Sequence, residues 1–72
     1  MTNTLEFKAM LIRKGYTAEE LADAIGITKV TMSYKVNNKR EFMASEINAI
    51  SKVLDLSLEE KEKIFFADVV EN

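Results

Sequence analysis

Gly15 and Gly26 are the only glycines in a 72-residue chain that has no proline. A sequence so poor in chain breakers is expected to run as helices joined by short turns, with the two glycines as its strongest stops. Gly15 follows a run from about Thr4 to Lys14. There Leu5, Phe7, Met10, Leu11 and Ile12 give a broad apolar side, and Glu6, Lys8, Arg13 and Lys14 stay wet. Gly26 follows a second run that opens on a capping box, Thr17 with Glu20, and turns Leu21, Ala22 and Ile25 inward. At both points glycine can enter the left-handed conformation that ends a helix without a Cβ clash.

The remaining chain divides in the same way. Thr28 fits the N-cap of a third helix that reaches about Asn37, with Met32 and Val36 as its only clear inward pair. Asn38 can take the left-handed conformation, Lys39-Arg40-Glu41 forms a polar link, and Phe42 and Met43 are expected to plug the core beneath it. A fourth helix carries Ile47, Ile50, Val53 and Leu54 on one side. Ser57 and Glu60 form a second capping box, and the helix they open carries Leu58, Ile64, Phe65, Phe66, Val69 and Val70. The expectation is an all-α fold in a single domain over residues 1–72, with helices at about 4–14, 17–25, 28–37, 45–54 and 57–70. The four methionines, Met1, Met10, Met32 and Met43, read as core filler.

Composition removes several function classes. The chain has no Cys and no His, which takes away the usual zinc ligands, thiolate nucleophiles and imidazole bases; no metal, cofactor or catalytic residue is expected. Glu59, Glu60 and Glu62 interleave with Lys61 and Lys63 near a helix start, which favours capping and a solvated face over acid–base work. No apolar run approaches the roughly 18 residues of a membrane span, and the N-terminus lacks the pattern of a signal peptide, so a cytoplasmic location is expected. Net charge is −2, but residues 1–40 balance to +3 and residues 41–72 to −5. Between Lys29 and Arg40 stand Lys35 and Lys39 and no anion. A basic face set against an acidic back is compatible with DNA.

The stretch Thr17–Arg40 concentrates these signals. Ala22 lies where two helices would cross closely, Gly26 where the chain reverses, and Ile27 and Met32 where apolar anchors would lock the second helix over the first. The segment resembles the lambda-repressor and Cro-like (XRE) helix-turn-helix family of phage repressors and bacterial regulators, over residues 5–56. The run TMSYKVNNKREF from Thr31 to Phe42 is similar to the xLSxKLNGKRxF pattern of a phage-type subgroup, as is the later Phe65-Phe66. The resemblance implies a compact five-helix lambda-repressor-like domain, with its helix-turn-helix in the second and third helices.

Site residues follow from the resemblance. Lys29 and Val30 would meet base edges, where Lys can donate to guanine and Val can pack on a thymine methyl. Tyr34 would reach base or phosphate, or else lie over the link to the fourth helix. Thr31 and Ser33 would touch the DNA backbone. Thr17, Thr28 at the start of the third helix, and Asn37 at its end would grip phosphates, and Lys39 and Arg40 would follow the duplex. Ala18 stands where many members carry a phosphate-contacting Gln, and Asn38 stands where Gly is usual. Lys35 occupies a position that is often aliphatic, and it is expected to snorkel past Val36 or join the backbone contacts.

The implied partner is double-stranded DNA, a pseudo-palindromic operator bound by a homodimer, with no small-molecule ligand. Adjacent phenylalanines cannot both face one core. Phe65, Phe66 and Val69 are therefore expected to supply a two-fold contact, one phenylalanine completing the core; the competing expectation tucks both in with a slight rotation of the helix. The expected function is a Cro-like or repressor-like transcriptional regulator. The alternative is a protein-interaction module, such as an antitoxin or anti-repressor, on the same fold.

Overall fold

A computed structural model describes residues 1–66. Its five helices are α1 (Thr4–Lys14), α2 (Ala18–Ile25), α3 (Lys29–Val36), α4 (Ala44–Val53) and α5 (Leu58–Phe65), and no strand occurs among the described residues. The last turns expected of the fifth helix, with Val69 and Val70, lie outside the described residues. α2 packs on α3 and α4, and α1 packs on α5.

Each helix starts on a side-chain cap. Asn3, Thr17, Thr28 and Ser57 accept from the amides of Glu6, Glu20, Thr31 and Glu60. At α4 the N-cap is Met43, which has no side-chain oxygen, so only half of a box forms: the Met43 amide donates to Glu46 Oε1 at 2.8 Å. At α5 the Ser57 amide donates to Glu60 at 2.9 Å and holds that carboxyl below its ordinary value.

Four of these helices end alike. Gly15, Gly26, Asn38 and Asp55 all have positive φ. After each, the next amide bonds back five residues: Tyr16 to Leu11, Ile27 to Ala22, Lys39 to Tyr34 and Leu56 to Ser51, at 2.8–3.0 Å. This is the Schellman arrangement, in which the residue after the left-handed one normally tucks against the helix it has just left. Tyr16, Ile27 and Leu56 do so and pack on the core. Lys39 does not; it is exposed. The exit of α3 is the one place among these four where the tuck is replaced by a solvated cation.

The core is centred on Leu21, Ala22, Met32 and Ile50, all fully buried. An aromatic cluster closes one end. Phe7 stacks on Phe42 at 5.8 Å, and Phe65 meets both edge-on, at 6.0 and 5.3 Å. Phe42 thus plugs the gap under the α3–α4 link, as expected, while Met43 beside it points to solvent. Other expected core residues are corrected in the same sense. Leu5 and Ile12 are 81% and 79% exposed, and Met1 and Leu58 are also exposed. At about 100° per residue, Leu5 stands roughly 200° from Phe7, so a three-turn helix on one core cannot bury both.

Phe65 is 4% exposed and Phe66 39%. Phe65 is therefore corrected from the expected dimer face to the core. Val69 lies outside the described residues, which leaves Phe66 of that trio on the described surface. Phe65→Ala is expected to lower the unfolding free energy in urea by about 3–5 kcal/mol, and Phe66→Ala by less than about 1 kcal/mol in the monomer. Equal losses would show that both rings are core.

Candidate nucleic-acid interface

α3 has only eight residues, and its burial is lopsided. Met32, Lys35 and Val36 face inward. Lys29, Val30, Ser33, Tyr34 and Asn37 are all exposed, and at about 100° per residue they fall on one continuous arc. Val30 is 61% exposed, on a helix whose other valine is buried. A solvated β-branched residue at the start of a helix has no packing role within the chain. Thr31 lies off this arc and is half-buried.

Hydrogen bonds within the chain limit what each polar residue can offer. Thr28 accepts from the Thr31 amide at 3.1 Å and donates its hydroxyl to Thr31 Oγ1 at 2.9 Å, so Thr28 is engaged in both directions. Thr31 keeps its own hydroxyl hydrogen. Thr17 accepts from Glu20 at 3.1 Å and likewise keeps a hydrogen to donate outward. Asn37 Nδ2 donates to Ser33 O at 2.9 Å, leaving its second amide hydrogen and its oxygen. In the link, the amides of Lys39 and Arg40 both point to Tyr34 O, at 2.8 and 3.4 Å. Contacts from Lys39 and Arg40 must therefore come from their side chains, which are exposed and meet no carboxylate among the described residues.

Lys35 behaves differently from either expectation. It neither snorkels outward nor faces a duplex. It is 6% exposed, and its ammonium lies 2.6 and 2.7 Å from the two Glu46 carboxylate oxygens. Glu46 thus bridges the back of α3 to the start of α4, and the same carboxylate receives the Met43 amide. The basic count of the segment falls accordingly. Lys35 is neutralised, Lys29 stands 3.9 Å from Glu19 in an exposed pair, and Lys39 and Arg40 carry the free charge.

A second set of contacts went unread in the sequence. The backbone of Thr2 pairs with the Asn38 side chain in both directions, Thr2 N to Asn38 Oδ1 at 2.8 Å and Asn38 Nδ2 to Thr2 O at 2.9 Å. Thr4 Oγ1 donates to Val36 O at 2.7 Å, and Asn3 N donates to Ile64 O at 2.7 Å. The first four residues therefore strap the end of α3 to the end of α5. Asn38 does here what glycine could not, since it takes the left-handed turn and supplies the clamp. The one sequence signal was an Asn at a position where Gly is the cheaper choice.

Comparison with known proteins gives one finding. A family model described as Cro/C1-type HTH DNA-binding domain matches residues 6–60, well over half of the chain. No curated protein and no solved structure matches significantly.

Burial raises the Glu46 carboxyl, but the Lys35 hydrogen bond, the Met43 amide and the Lys35 charge together outweigh it and hold it below its ordinary value. With a lowered folded value, this contribution to stability is complete above the unfolded value and is lost as pH falls through the folded one. Glu46→Ala should lose about 3 kcal/mol near neutral pH, because it strands a buried ammonium, while Lys35→Met with Glu46→Leu should match or exceed the wild type. On acidification below the ordinary carboxylate value of about 4.3, wild type should lose more stability than the double variant. Urea unfolding at both pH values reads this out, and parallel losses would remove the pair from the account.

Proposed function

Because the chain belongs to the Cro/C1-type helix-turn-helix DNA-binding domain family, we propose that it is a sequence-specific transcriptional regulator of phage or prophage type, acting in the cytoplasm. Two copies bind a pseudo-palindromic operator, with α3 of each in successive major grooves about 34 Å apart. The observation that carries this is the arc of α3. Lys29, Val30, Ser33, Tyr34 and Asn37 project together from a helix whose other side is fastened by Met32, Val36 and the Lys35–Glu46 pair. Lys29 and Val30 read base edges. Tyr34 follows one turn later, and Thr17, Thr28, Thr31, Ser33 and Asn37 flank them toward the DNA backbone. Lys39 and Arg40 track phosphates from the link. Regulation is by occlusion of polymerase, with no catalytic step.

One observation favours a second reading. Leu5 and Ile12 lie on the same outer side of α1, nearly bare. That is a surface for another protein, and an interaction module would use it without DNA. A low-salt gel shift against genomic fragments separates the two, since folded protein that shifts nothing supports the module.

Lys29→Ala is expected to relax preference at one base pair by about 1–3 kcal/mol, measured by selection of bound duplexes from a random pool. An unchanged sequence logo would remove Lys29 from base reading. Lys39→Ala or Arg40→Ala should instead weaken all duplexes alike and flatten the dependence of affinity on salt. A change of preferred sequence in either variant would contradict its assignment to phosphate.

A further inference from the structure

α1, the start of α2 and α3 enclose an open cleft of about 250 Å³. Its floor is apolar, made by Phe7 and Leu11 from α1 and by Met32 and Val36 from α3. Its rim carries Lys8, Lys29, Ser33 and Asn37, and no carboxylate lines it. Ala18, at the first turn of α2, leaves the mouth unobstructed.

The size and lining constrain the occupant. Pockets for drug-sized ligands run to roughly 300–1,000 Å³ and bury most of the ligand. This cleft is smaller and open on one side. Two ammonium groups, a hydroxyl and a carboxamide around an apolar floor match one repeat of a nucleic-acid backbone, with the anion at the rim and the C–H face of the sugar on the floor. The cleft is also continuous with the outward arc of α3, since Lys29, Ser33 and Asn37 belong to both.

Lys8 is the rim group that nothing else claims. It is exposed and meets no carboxylate among the described residues. Lys29 has other calls on it, being within 3.9 Å of Glu19 and at the start of the reading arc. We propose that this cleft seats a backbone phosphate of duplex DNA and that Lys8 of α1 is its charged contact, so the protein grips the duplex with a helix outside the helix-turn-helix. This rests on the DNA-binding function proposed above. Lys8 sets affinity and register and reads no base.

The test is the salt dependence of binding to a selected duplex, followed by fluorescence anisotropy, for wild type, Lys8→Ala, Lys8→Arg and the control Lys52→Ala on α4. Circular dichroism checks that each variant is folded. Lys8→Ala should weaken binding several-fold at low salt and lower the log–log salt slope by about 0.9, with the preferred sequence unchanged. Lys8→Arg should restore the slope, and Lys52→Ala should leave it at the wild-type value. A neutral methylphosphonate placed at each backbone position in turn should weaken wild type at one position per half-site where it no longer affects Lys8→Ala. If wild type binds with a normal slope and Lys8→Ala matches it, the Lys8 contact is overturned while the regulator stands. If folded wild type binds no duplex at any salt, the regulator falls and the cleft assignment falls with it.

Discussion

The buried contact between Lys35 and Glu46 is the constraint on which the presentation of α3 depends. A helix of eight residues has little stability of its own in water, so its orientation must come from tertiary contacts. Met32 and Val36 supply an apolar hold, but a narrow stripe of two residues leaves a short helix free to rock. The ion pair adds a directional bond, 2.6 Å long, from the third inward residue to the first turn of α4. Both partners are largely shielded from water. Burying two charges is expensive, and a well-packed apolar pair would often hold as well. What the charged pair adds is geometry: an ammonium between two carboxylate oxygens has few acceptable positions, and Glu46 is itself fixed by the Met43 amide.

The ends of α3 are held by different means. At its start, Thr28 and Thr31 close a small hydroxyl network. At its end, Asn38 takes a left-handed turn and clamps the backbone of Thr2, while Thr4 ties the carbonyl of Val36. The same N-terminal strap bonds to Ile64 on α5. The exposed arc therefore sits on a frame fastened at its front, its back and its exit. Few polar groups remain uncommitted on that frame, chiefly the ammonium of Lys8, the side chains of Lys39 and Arg40, and the hydroxyl hydrogens of Thr17 and Thr31. These are the groups with which such a surface can address an anionic partner.

Phe65 and Phe66 show how one residue of rotation separates two roles. Both are large and apolar, and no periodicity ranks one over the other. The choice is made by Phe42, which enters from the α3–α4 link and leaves room for one ring between itself and Phe7. Phe65 fills that space, and Phe66 is turned to the surface.

Helix number, the caps at Thr17, Thr28 and Ser57, the stops at Gly15 and Gly26, and the inward pair Met32 and Val36 were legible in the residues. These are local matters, since a capping box or a left-handed glycine involves atoms within a few residues of each other. So was the outward arc of α3, because a thin apolar stripe leaves its complement exposed. Contacts far apart in sequence were not legible. Nothing near Lys35 announces Glu46 eleven residues on, and nothing near Thr2 announces Asn38 thirty-six residues on. Leu5, Ile12 and Met43 are as apolar as the residues that were buried, and only the limited area of one small core left them in water. Sequence alone determined which segments are helical and which side of α3 is bare. Tertiary structure decided which charges are neutralised, which apolar residues are surplus and how α3 is held, because those outcomes depend on which distant groups arrive at the same place.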